Sequence, residues 1–168
     1  MPNWCEMDLT VTGPKAELDR LVKECFVVDT DQENKNPRLD FDRIIPYPKK
    51  FKDIDALVRD MSWEERNKKG LKDGFNSGGY EWCCENWGTK WGACRPTKLV
   101  VTTKSLKQTF STAWSPPLPI MAQLGKMFPL LTFKLKYFEG GMGFQGVITV
   151  QGDIIEEVSA SYSGRRGG

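Results

Sequence analysis

Residues 3–12 alternate in strict period two, with Cys5, Met7, Leu9 and Val11 on one side and Trp4, Glu6, Asp8 and Thr10 on the other. Successive side chains of a strand point to opposite faces, so this pattern reads as a strand with one buried face and one wet face. The pattern returns at Leu131–Glu139, where Leu131, Phe133, Leu135 and Tyr137 oppose Thr132, Lys134, Lys136 and Phe138. Two strands of this kind call for a sheet covered on one side only, which is the habit of antiparallel α+β domains.

The elements between them follow from local signals. Gly13-Pro14 ends the first strand, and Leu18, Leu21, Val22 and Cys25 recur at helical spacing, predicting a helix over Pro14–Cys25. Asp29–Pro37 reads as loop, and Leu39–Tyr47 as a short extended segment closing on Pro46 and Pro48. Asp53–Lys69 is a helical candidate; Ser62 with Glu65 three residues on can instead open a second helix there through a capping box. Tyr80–Trp87 predicts a short helix that Gly88 ends. Lys98–Thr103 and Gln108–Trp114 read as strands around a Lys104–Lys107 turn. Ser115-Pro116-Pro117 then opens a helix through Ile120, Met121, Leu124 and Met127, which Pro129 ends. Gly140-Gly141 signals a hairpin, Phe144–Val150 is its return strand, continuing beyond Gly152, and Ser159–Gly168 is a flexible tail. With residues 26–96 set aside as an insertion, the order is βαββαβ plus one added hairpin strand. This is a ferredoxin-like, mainly antiparallel sheet with a helical insertion, in one domain over residues 1–158.

Composition narrows the chemistry. The 168 residues contain no histidine, which removes Ser-His-Asp and Cys-His catalysis, HExxH zinc sites and the usual deaminase ligands. A net charge of +2 is low for a duplex-DNA binder. Five cysteines, an odd number without CxxC spacing, point to reduced thiols and neither to a disulfide framework nor to a zinc site. No apolar run is long enough to span a membrane, and the start MPNWCEMDLTVTG lacks the basic and continuous apolar parts of a signal peptide. We therefore expect a cytoplasmic protein without cofactor or metal, and not an enzyme.

The densest aromatic stretch, Tyr80–Trp91 (YEWCCENWGTKW), holds three of the six tryptophans. Trp87 and Trp91 flank a Gly-Thr-Lys step, so with Lys90 they can form a platform that stacks a base. They can equally dock the insertion onto the sheet, in one buried cluster with Trp114, and that packing reading is favoured. Glu81 and Glu85 lie i,i+4 on the predicted helix, where like charges need a partner such as Lys90 or Arg95. With Glu139 they are the carboxylates nearest the aromatic segments. The candidate binding set is Glu81, Glu85, Asn86, Trp87, Lys90 and Trp91. Lys134 and Lys136 share a sheet face with Phe138, as a nucleic-acid surface requires, although the RNP pattern is missing.

The strings Asn3-Trp4-Cys5, Glu85-Asn86-Trp87-Gly88-Thr89-Lys90-Trp91-Gly92-Ala93, Thr112-Ala113-Trp114-Ser115-Pro116-Pro117, Phe128-Pro129 and Tyr137-Phe138-Glu139 together resemble the YubB-like family of phage and plasmid proteins. The resemblance spans most of the chain and implies a mobile-element origin and a ferredoxin-like domain; it transfers no catalytic residue. Joined to the missing catalytic groups, it leads us to expect a binding protein that inhibits a host antiviral defence system through contact with a host protein, acting in the host cytoplasm. The alternative is a protein that binds single-stranded nucleic acid, or that sequesters a nucleotide signal between the insertion and the sheet.

Overall fold

The first alternating segment forms β1 (Trp4–Thr12), with Cys5, Met7, Leu9 and Val11 all at most 2% exposed. In the computed structural model, which describes residues 3–28 and 35–162, β1 lies between β5 (Ser105–Ala113) and β6 (Thr132–Glu139), antiparallel to both. Register carries the burial pattern across the sheet. Leu9 sits between Gln108 and Leu135, Met7 between Phe110 and Tyr137, and Val11 between Leu106 and Phe133. Helices α1 (Lys15–Cys25) and α6 (Leu118–Met127) join this core through Leu18, Leu21, Cys25, Ile120, Met121 and Leu124. Lys134 and Lys136 remain exposed on the opposite face.

The six-stranded sheet has the order β4-β5-β1-β6-β7-β8, with β4 (Val100–Val101), β7 (Phe144–Gln151) and β8 (Ile154–Ser161). Without the two added strands this is the ferredoxin-like order, in which the first strand is central and the split βαβ unit closes around the third. The insertion between α1 and β4 contains the two-residue strands β2 (Phe26–Val27) and β3 (Arg38–Leu39), the helices α2 (Phe41–Ile44), α3 (Lys49–Val58), α4 (Trp63–Lys68) and α5 (Gly79–Asn86), and a 3-10 turn at Phe75–Ser77.

Several elements differ from the sequence expectation, each for a local reason. Leu39–Tyr47 is not extended: Asp40 caps a helical turn by accepting from the Asp42 N–H at 3.2 Å, which buries Phe41 and Ile44 together. The capping box at Ser62 and Glu65 forms, so Asp53–Lys69 is divided between two helices. The strand expected over Lys98–Thr103 shortens to two residues because the Thr102 hydroxyl accepts from the Ser105 N–H at 3.0 Å and turns the chain early. β5 accordingly starts at Ser105, within the expected turn. The strand after Phe144 stops at Gln151; Gly152, at φ +58°, reverses it into β8. The hairpin thus adds two strands instead of one, and β8 takes up Ser159–Ser161 of the expected tail. Residues 29–34 of the expected loop and 163–168 of the tail lie outside the described residues. Among the described residues, no helix is long and apolar enough to cross a membrane.

Burial sets the state of the core thiols. The thiols of Cys5, Cys25 and Cys83 are pushed up from 9.0 to about 12, chiefly by loss of solvent, and burial likewise raises the Tyr47 and Tyr137 hydroxyls from 10.0 to about 12. The unfolded chain gives up these protons near 9 and 10, whereas the folded chain holds them to about 12. Between those limits the unfolded state binds fewer protons, so stability falls as pH rises. The urea midpoint should decline steadily from about pH 9 to pH 11. A flat midpoint across that window would contradict buried, protonated thiols.

Candidate functional site

Two sequence strings that look independent form one unit in space. α5 ends at Asn86 with Trp87 as its C-terminal cap, and Gly88 at φ +75° turns the chain. The Thr89 hydroxyl then donates to the Ala113 carbonyl at 2.8 Å, while the Ser115 hydroxyl donates to the Gly88 carbonyl at 2.6 Å. Gly88 is pressed against Pro119, where a Cβ would come within 2.8 Å of the proline Cδ. The Trp87–Trp91 turn is therefore clamped to the end of β5 and the start of α6.

This clamp separates the tryptophans that sequence reasoning grouped together. Trp87, 8% exposed, faces the insertion: its Nε1 donates to the Ile45 carbonyl at 2.8 Å, and its ring meets Phe41, Tyr47 and Trp82 at 5.6–5.9 Å. Trp91 instead joins Trp4 and Phe75 at 6.4 and 6.5 Å. Trp114 pairs with Tyr80 and is 39% exposed, with its backbone at φ +71°. The expected single buried cluster of Trp87, Trp91 and Trp114 is thus divided, because the Gly88 turn sends its two flanking rings in different directions.

Lys90 does not reach back to Glu81 or Glu85. Its ammonium lies 4.6 Å from the Trp91 ring centre, 5.1 Å from Trp114 and 5.9 Å from Tyr80, a cage of three aromatic rings. Glu81 and Glu85 are exposed on α5, and the Asn86 side chain donates to the Trp82 carbonyl of its own helix at 2.9 Å. Glu139, the third carboxylate considered, is 1% exposed and accepts from the backbone N–H groups of Gly141 and Met142, tightening the β6–β7 turn.

The arrangement with binding chemistry is a cleft of about 660 Å³ beside this unit, between the insertion and the end of the sheet. Trp4, Trp87, Trp91 and Phe41 give it aromatic walls; Arg38 and Arg95 bring two guanidinium groups, and Asp40 and Asp42 complete the polar side. Each part comes from a different element. Trp4 opens β1, Arg38 lies in β3 and Asp40 caps α2. Arg95 follows Cys94, which bridges to Ser111 of β5. The Asn36 amide donates to the Pro96 carbonyl at 3.1 Å, and the buried Gln108 amide donates to both Pro37 and Thr97, tying the two arginine-bearing segments together.

Three features set this cleft apart. The Arg95 guanidinium stacks 4.3 Å from the Trp4 ring centre, and its backbone is held at φ +53°, a conformation costly for a side-chain-bearing residue. The indole nitrogens of Trp4 and Trp91 are buried yet have no hydrogen-bond partner in the protein. A buried donor without a partner costs about 1–3 kcal/mol. The volume lies within the range of small-molecule sites, about 300–1,000 Å³. A smaller hollow of about 420 Å³ lies on the open sheet face, lined by Asp8, Lys136 and Phe138 among others; like the cleft it carries both signs of charge, but it has no arginine.

Of the six residues singled out from sequence, Trp87 and Trp91 line the cleft and Lys90 packs on the outer ring system. Trp4, Arg38, Asp40, Asp42 and Arg95 were missed as site residues. Trp4 stood within a resemblance string; neither arginine belongs to a motif.

Comparison with known proteins agrees with this architecture. Residues 86–165 match the family model described as the ferredoxin-like domain in Api92-like protein. The chain is similar to Api92-like proteins. Its fold also matches the crystal structure of protein api92 from Yersinia pseudotuberculosis, with a TM-score of 0.55 over 98% of this chain and 99% of that one. At 10% identity this likeness concerns the fold. None of the curated proteins matches the chain.

Proposed function

We propose that this chain is a non-catalytic binding protein whose cleft takes an anionic ligand with a flat ring, of the nucleotide class. The observation that carries the reading is the Arg95 guanidinium stacked 4.3 Å from the Trp4 ring centre in a cleft of about 660 Å³, beside Arg38, which Asp40 holds at 3.4 Å. Arginine matches phosphate oxygens through paired N–H donors, and indole faces stack on any base. The strings that resemble the YubB-like family supply the setting, a mobile element in a host cytoplasm. There the ligand is a nucleotide signal of an antiviral defence system, and binding it inhibits that system by sequestration.

Titration with ATP, a cyclic dinucleotide and a short dT oligonucleotide tests the proposal, using the quenching of tryptophan fluorescence. At low salt at least one of these should quench, and Arg95→Ala should weaken that binding roughly 10- to 100-fold, the worth of a charge-assisted hydrogen bond. Arg95 is exposed, so the substitution leaves the core intact. Absence of quenching by all three probes at millimolar concentration would rule the reading out. Direct contact with a host defence protein is the second reading, supported by Trp63, which starts α4 and is 74% exposed. Under it, a host protein retained by the wild-type chain is lost with Trp63→Ala and kept with Arg95→Ala.

A further inference from the structure

β8 is the outermost strand of the sheet, and all eight of its residues are exposed. Val158 is 74% exposed, Ile154 68% and Ile155 42%. The opposite edge, β4, is only two residues long. Proteins normally blunt a long apolar edge with lysine, proline or a bulge. β8, reading IIEEVSAS, has no lysine, proline or bulge; its only charges are Glu156 and Glu157, and its register with β7 is uninterrupted.

The direction of its free backbone groups follows from the ladder. The Tyr162 N–H bonds to the Gly143 carbonyl, continuing the β7–β8 register by one pair. Hydrogen-bonded and non-bonded pairs alternate in an antiparallel ladder. Ala160, Val158, Glu156 and Ile154 therefore turn their N–H and C=O groups toward β7. Ile155, Glu157, Ser159 and Ser161 turn theirs outward.

We propose that this edge is completed by β8 of a second copy of the chain, antiparallel about a two-fold axis at Val158. In that register Glu157 bonds to Ser159 of the second copy and Ile155 to Ser161 of the second copy, in both directions, for about eight backbone hydrogen bonds. On the open face Val158 meets Val158 of the second copy and extends the Val147–Val158 pair across the axis. Ile154 meets Tyr162 of the second copy, whose ring already packs on Phe138 at 4.7 Å. The Glu157 carboxylate, which accepts from the Tyr137 hydroxyl at 2.7 Å, faces a serine.

Neighbouring registers lose this match. An axis at Glu157 sets two glutamates directly opposite each other, which destabilises the pair. An axis at Ser159 sets Glu156 against Tyr162. A self-complementary register is the mark of an isologous interface, and it is what selects a second copy over a foreign strand.

Sedimentation velocity on the full chain at tens of micromolar should give twice the 19.1 kDa protomer mass. Val158→Lys changes an exposed side chain, so it should keep the far-UV circular dichroism of the wild type and sediment as a monomer. Val158→Cys tests the register: facing Cα atoms of a non-bonded pair lie about 4.5 Å apart, within disulfide range. Mild oxidation should convert that variant into a covalent dimer, whereas the wild type, with its own five cysteines, should not form one. A monomeric wild type, a Val158→Lys dimer, or a Val158→Cys dimer without an interchain disulfide would each overturn the proposal.

Discussion

Trp87→Ala lowers the unfolding free energy by about 3–5 kcal/mol, the range for removing a large buried aromatic ring. The loss has three parts. The ring, 8% exposed, leaves a void among Phe41, Tyr47 and Trp82. The edge-to-face contacts go with it, each worth about 0.5–1.5 kcal/mol beyond burial. The Ile45 carbonyl loses the indole N–H that reaches it at 2.8 Å. Urea unfolding measures the sum. Lys90→Met serves as the contrast: it keeps the bulk within the cage of Trp91, Trp114 and Tyr80 and removes only the cation, at about 1 kcal/mol. If Lys90→Met proved the more damaging of the two, Trp87 would not be the pin of the insertion.

Gly125→Val destabilises the fold by about 3 kcal/mol, the upper part of the range for overpacking a filled core. Gly125 is the point where α6 rests on the β7–β8 turn. A Cβ there would lie 2.4 Å from both the Gly152 carbonyl oxygen and the Val150 Cγ1. The backbone oxygen cannot swing aside as a flexible side chain can, so the helix itself must lift. Gly125→Ala makes the sharper comparison. In an exposed helix that change gains about 1 kcal/mol of helix propensity; here it should lower the melting temperature. A rise would show that α6 does not approach the turn this closely.

The ferredoxin-like order was legible because its signals are local. Cys5, Met7, Leu9 and Val11 announce a one-sided strand by spacing alone, and so do Phe133, Leu135 and Tyr137. The Ser62–Glu65 capping box and the Gly88 helix end were legible for the same reason, since caps are decided within four residues. The misreadings were also local in cause. In Leu39–Tyr47 the spacing of Leu39 and Phe41 imitates a strand, while Asp40 between them is the stronger helix signal. At Gly152 a lone glycine inside an alternating run was read as part of a strand, although it marked the reversal into β8.

The cleft was legible only in fragments. Trp87 and Trp91 stood out by density, but their division into two clusters depends on the clamp between Thr89 and Ala113 and between Ser115 and Gly88. Sequence by itself determined the two alternating core strands, most of the helices, the one-sided sheet and the absence of histidine chemistry, because side-chain period, capping and composition act over a few residues or over none. Tertiary structure alone decided that Trp4, Arg38, Trp91 and Arg95 share one cleft. Those residues come from separate elements, and only the closure of the insertion onto β5 brings two arginines to the same indole walls.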